Sequence, residues 1–157
     1  MTQVPHHPHV VDRRAARVLL LDAVGRVLLF HGCDPVDASA GDWWFTPGGG
    51  LDDGETPAEG AARELAEETG LRVAPADLGP VVHERVAEFR FAGGAYRQTE
   101  DFFALRVDAH DVDTSGFTEL EVSAVLGHRW WSPEDLRGTA ERVYPRELPE
   151  LLERLPA

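Results

Sequence analysis

Residues 49–71 read GGLDDGETPAEGAARELAEETGL, and this stretch carries a helix with both ends marked. The Thr56 hydroxyl suits the N-cap, and Pro57 takes the first helical position, where its missing N–H costs nothing. Glu59 follows three residues after Thr56, as in a capping box. Gly70 supplies the stop, because helices commonly end on a left-handed residue that glycine adopts without strain. Within these limits Ala58, Ala61, Ala62 and Leu65 form one stripe suited to packing on a sheet. Glu64, Glu67 and Glu68 recur at i,i+3 and i,i+4, so they share a patch about 100° wide, roughly 120° from that stripe.

Residues 52–68 hold seven acidic side chains and one basic one, Arg63, a local charge of −6. Like charges at i,i+4 repel by a few tenths of a kcal/mol in water and by more when partly buried. Two readings stand: a solvated helix face, or a patch neutralised by a cation. Carboxylates converging on one point suit Mg²⁺, Mn²⁺ or Ca²⁺ rather than zinc, which favours His and Cys.

The same stretch resembles the Nudix box of the Nudix hydrolases, G-x5-E-x7-R-E-U-x-E-E-x-G-U with U apolar. Gly49, Glu55, Arg63, Glu64, Leu65, Glu67, Glu68, Gly70 and Leu71 fill every defined position. Its seven fixed identities arise by chance on the order of 10⁻⁹ to 10⁻⁸ per starting position, which sets the match apart from a lone glycine pattern. Weaker similarity surrounds it in the opening hairpin, in Trp44 to Gly49, and in Arg129-Trp130-Trp131 with the acidic residues that follow. The resemblance implies an α/β fold, a Nudix-type α/β/α sandwich around a mixed central sheet.

It also implies an activity: hydrolysis of a nucleoside diphosphate linked to another moiety, dependent on Mg²⁺ or Mn²⁺. The metal ligands it implies are Glu64, Glu67, Glu68 and the main-chain carbonyl of Gly48. Glu67 and Glu68 would be catalytic, Arg63 would orient the glutamates, and Glu55 would hold the loop against the helix. The general base in this family is a box glutamate or an acid on a distant loop. Glu121 is preferred here, with Glu119 and Glu100 as further candidates. The alternative is a nucleotide-binding or regulatory module without turnover, but such relatives commonly lose box carboxylates and this chain keeps them. A related isoprenoid diphosphate isomerase would need a suitably placed cysteine, and Cys33 reads as part of a loop.

The whole chain bounds these readings. Its 157 residues fit one domain, and 43% hydrophobic with 27% charged residues describes a globular protein. With 15 Lys+Arg against 28 Asp+Glu the net charge is −13, which disfavours duplex nucleic acid and anionic membranes as partners. A small nucleotide or nucleoside diphosphate derivative is the expected partner, and a homodimer is common in the family. The single cysteine fits a cytoplasmic protein. Residues 1–12, with His6, His7 and His9, read as a flexible tail ahead of a single domain over 13–157.

Around the box, Ala16–Leu21 and Val27–Phe30 read as a hairpin covered on both faces, and residues 32–42 as a loop. Trp43–Phe45 reads as a short strand ending at a glycine turn, residues 48–50. Leu71–Val73, residues 81–91, 98–107 and a segment closing at Trp130-Trp131 read as strands. Helices are expected after Ser132 and through Leu148, Leu151, Leu152 and Leu155. Substrate choice is not legible. Trp43, Trp44, Phe45, Trp130 and Trp131 read mainly as core, His31, His83 and His128 as structural, and Arg85, Arg90 and Arg97 as solvated or phosphate-facing.

Overall fold

A computed structural model describes residues 9–156. Among them the chain forms β1 (Val10–Leu21), β2 (Val27–Cys33), β3 (Asp42–Phe45), β4 (Gly48–Gly50), α1 (Pro57–Thr69), β5 (His83–Phe91), β6 (Gly94–Arg106), α2 (Glu119–Ala124), β7 (Val125–Trp131), α3 (Pro133–Gly138), β8 (Val143–Tyr144) and α4 (Leu148–Arg154). The sheet is mixed. β1 runs parallel to β6 from Val10↔Ala95 to Leu21↔Arg106, and antiparallel to β4 through Ala15↔Gly50 and Arg17↔Gly48. β2 is antiparallel to β3 and β7, β5 is antiparallel to β6, and β3 runs parallel to β8.

The apolar hairpin arms are buried on both faces, as read from the sequence. Ala16, Val18 and Leu20 of β1, with Leu28 and Phe30 of β2, meet Ala61, Ala62 and Leu65 of α1. The alternate residues Leu19, Leu21, Val27 and Leu29 meet Leu136 of α3 and Leu148 and Leu151 of α4 on the opposite face. Strand period two thus divides one apolar run between two helical layers, each fully buried Leu contributing roughly 2 kcal/mol. The result is an α/β sandwich with α1 pinned on one side of the sheet. No helix among the described residues is long and apolar enough to cross a membrane.

The ends of α1 are those marked in the sequence. The Thr56 hydroxyl accepts from the Glu59 N–H, and Gly70 closes the helix at φ 76°.

Elsewhere local pattern and structure part. Val10–Asp12, assigned from sequence to a tail, belong to β1 because β6 supplies a parallel partner; His6 and His7 lie outside the described residues. Cys33 ends β2, paired with Asp42, instead of lying in a loop. Leu71–Val73 is not a strand: Leu71 and Val73 pack against the α1-side core, and that burial alone produces their apolar spacing. The glycines of 48–50 form strand β4 rather than only a turn, and Glu121 sits on helix α2 rather than on a loop.

Candidate active site

Gly48 is the pivot of the site. Its φ of 141° and its distance from β1 both demand glycine, since a Cβ there would lie 2.2 Å from the Ala16 carbonyl oxygen. The Gly48 N–H donates to Glu68 Oε2 at 2.9 Å, and its carbonyl accepts from Arg17 Nη1 at 3.1 Å. Gly49 is equally confined, with a Cβ position 2.8 Å from Glu64 Oε1. Gly48→Ala is expected to lower stability by about 2–4 kcal/mol, through overpacking and backbone strain, as read from urea unfolding of the metal-free protein.

Glu68 is only 4% exposed although it is a carboxylate. Burial, with the Glu64 charge beside it, pushes its pKa well above the usual carboxylate value, and the Gly48 N–H only partly opposes this. Glu64 is also raised by burial, against the pull of Arg63. Glu121, from α2, brings a carboxylate oxygen within 4.8 Å of oxygens of Glu64 and Glu68, among which every pair meets that limit. Thr118 and Glu121 form a reciprocal capping box that holds this short helix, and the Thr118-x-x-Glu121 spacing was its sequence signal.

Arg63 ties the patch to the loop before it. Its Nε donates to Glu55 Oε2 at 2.8 Å, Nη2 to Glu55 Oε1 at 2.9 Å and to the Gly50 carbonyl at 3.1 Å. Nη1 reaches Glu64 Oε1 at 3.0 Å and Glu67 Oε2 at 3.3 Å. These bonds, to Glu55 first, raise the Arg63 pKa further and hold Glu55 below the ordinary carboxylate range. Glu67 lines the cavity but its side chain is 40% exposed and its contact is with Arg63.

Of the other acids, Glu100 is 4% exposed and bound by Arg17 and Arg85. Burial alone would raise its pKa, but Arg17, then Arg85 and Gln98, override burial and hold it below the ordinary range, which unsuits it as a proton acceptor. Glu119 stays exposed.

These groups line a cavity of about 570 Å³. Glu64, Glu67, Glu68 and Glu121 are on its wall with Arg63, while Arg13, Arg17 and Arg85 also face it. Arg90 borders the cavity and Arg97 is exposed beside Glu88. Trp131 is 1% and Trp44 9% exposed, in the core, whereas Trp43 and Phe45 reach the cavity. His31 stacks on Trp44 with ring centroids 4.5 Å apart and pairs with Asp42, and His83 pairs with Glu147, so both serve structural contacts.

Arg17 went unremarked in the sequence, although a lone cation inside Ala15-Ala16-Arg17-Val18-Leu19 is the signal of a strand position facing a polar site. Its importance appears only when β4 and β6 flank it.

Residues 11–154 match the NUDIX domain. The chain is 33% identical over 141 residues to an RNA pyrophosphohydrolase of Erythrobacter litoralis, covering 83% of this chain and 82% of that one. It is 32% identical over 135 residues to an RNA pyrophosphohydrolase of Novosphingobium aromaticivorans, covering 79% and 80%. Its fold matches the crystal structure of a MutT protein from Methanosarcina mazei with a TM-score of 0.66 at 21% identity, over 94% of this chain and 95% of that one. The complete glutamate box, its placement on a sheet-packed helix and the match over nearly the whole described chain lead to one assignment: the chain belongs to the Nudix hydrolase family.

Proposed function

We propose that the chain is a divalent-metal-dependent pyrophosphohydrolase acting on a nucleoside diphosphate linked to another moiety. The observation that carries this is the convergence of Glu64, Glu68 and Glu121 within 4.8 Å, with Glu68 buried and charged neighbours beside it. Such a set of hard oxygens with mutual repulsion fits Mg²⁺ or Mn²⁺. Glu64 and Glu68 of this set would hold the ion with the Gly48 carbonyl, joined by Glu67, whose carboxylate lies on Arg63 in the structure and outside the convergent group. When bound, it supplies charge neutralisation for the phosphates and acidifies a coordinated water.

The protein's own groups do the rest. Arg63 keeps Glu64 and Glu67 pointed at the cavity, Gly48 brings backbone to its floor, and the arginine wall draws the anionic substrate into an otherwise acidic protein. Glu121 would accept the proton of the attacking water; its approach to Glu64 and Glu68 from another element and its bond from the Thr118 N–H support that role. The RNA pyrophosphohydrolase relatives add a 5′-triphosphate RNA end to the substrate classes for trial.

The test is a panel of nucleoside triphosphates, oxidised nucleotides, ADP-ribose, nucleotide sugars, dinucleoside polyphosphates and 5′-triphosphorylated RNA, with products identified. Turnover of at least one class is expected with Mg²⁺ or Mn²⁺, and loss of turnover with EDTA. A nucleotide that raises the melting temperature without any cleavage across the panel would instead favour the binding module.

A further inference from the structure

We infer that Arg17 and Arg85, fastened to opposite oxygens of the buried Glu100, form a phosphate subsite for a third phosphoryl group beyond a metal-bound pair, with Glu100 as its positioning residue. This rests on the pyrophosphohydrolase reading and narrows its substrates to those with at least three phosphates in a row.

Glu100 Oε2 accepts from Arg17 Nε at 2.8 Å and from Gln98 Nε2 at 2.9 Å, while Oε1 lies 2.9 Å from Arg85 Nε. Gln98, fully buried, accepts at Oε1 from Arg13 Nε. One carboxylate and one amide therefore organise three guanidiniums, leaving two positive charges in excess on a cavity wall of a protein whose net charge is −13. Buried ionic networks of this kind are seldom more stabilising than apolar packing, so a reason beyond stability is needed.

The geometry supplies one. Fastening both arginines by Nε leaves terminal nitrogens for other acceptors. Arg17 Nη1 is used by the carbonyls of Thr46 and Gly48, but Arg17 Nη2 and both terminal nitrogens of Arg85 have no hydrogen-bond acceptor among the described residues. The two terminal nitrogens of Arg85 and the one of Arg17, on one cavity wall, suit the several oxygens of a phosphoryl group. The subsite is also registered to the acidic patch, because Arg17 and Glu68 grip the same residue, Gly48, at its carbonyl and its N–H. A chain of phosphates leaving the glutamates thus meets Arg17 and then Arg85.

Binding to two probes with Mg²⁺ tests this without turnover: a non-hydrolysable imido-bridged nucleoside triphosphate, and a methylene-bridged nucleoside diphosphate that lacks the third phosphate. Arg85→Gln is expected to weaken the triphosphate analogue about tenfold and the diphosphate analogue less than twofold, with Arg85→Lys recovering part of the loss. Glu100→Gln is expected to weaken the triphosphate analogue selectively by a smaller factor, whereas a merely structural role would weaken both alike. Arg97→Gln, on the exposed face, leaves both unchanged. Equal loss for the two analogues, no loss in Arg85→Gln, or tighter triphosphate binding in Glu100→Gln overturns the subsite. If the contrast holds but no substrate is cleaved, the subsite stands and the hydrolase reading falls; cleavage without the contrast has the opposite meaning.

Discussion

Glu68→Gln is expected to lower kcat by at least about 10³-fold while raising the melting temperature of the metal-free protein. The two effects have one origin. Glu68 is 4% exposed and lies against Glu64, so in the absence of a cation its charge is held in a place that burial and repulsion both disfavour. The neutral amide keeps an oxygen for the Gly48 N–H and removes the charge. Relief of about 1–3 kcal/mol corresponds to roughly 2–12 °C for a chain of this size. Calorimetric melting in EDTA and in Mg²⁺ separates the contributions: the wild type gains from Mg²⁺, and the variant gains little. A variant that retained wild-type turnover would remove Glu68 from the metal set.

The pH dependence follows with a definite sign. A carboxylate whose folded-state pKa is raised destabilises the fold when it must be charged. For Glu68 that penalty is absent below the ordinary carboxylate pKa and grows as pH rises toward the raised value. Metal-free wild type therefore loses stability through this interval, and Glu68→Gln loses less, through the raised Glu64 that remains. Saturating Mg²⁺ flattens the difference, because the ion stabilises the charged form.

How much of this was legible in the sequence depends on whether the cause was local. Thr56, Pro57 and Gly70 mark α1 by backbone chemistry confined to a few residues, and the helix period then puts the glutamates on one patch. The hairpin was visible because both of its faces are buried. Gly48–Gly50 shows where local reading stops: three glycines signal a turn, and only β1, with the Ala16 carbonyl where a Cβ would stand, makes them a strand. The union of Glu121 with Glu64 and Glu68 depends on β7 pairing with β2, a contact between segments about 100 residues apart. Glu100 likewise had no visible partner until the parallel β1–β6 register set its strand beside that of Arg17. Spacing within one helix could supply the clustered carboxylates, and tertiary pairing was needed to supply the cavity facing them.

Arg63→Ala is the second large effect, and here stability and activity fall together. Arg63 is the cation shared by Glu55, Glu64 and Glu67, and it also holds the Gly50 carbonyl. The side chains of Glu55 and Glu64 are each 12% exposed, so truncation leaves two largely buried carboxylates without their partner. Removing one partner of a buried pair costs about 3–5 kcal/mol; with Arg63 itself 26% exposed, about 3 kcal/mol is expected, or a loss of roughly 6–12 °C. Arg63→Lys keeps the charge but not the fork that spans Glu55 and Gly50, and should recover less than half of the loss. For Glu55, whose pKa is depressed first by its bond to Arg63, the stabilisation is present above the unfolded carboxylate pKa and disappears as pH falls through the folded value. The gap between wild type and Arg63→Ala, measured by urea unfolding, should therefore narrow on acidification. A gap independent of pH would show that Arg63 acts through packing rather than through charge.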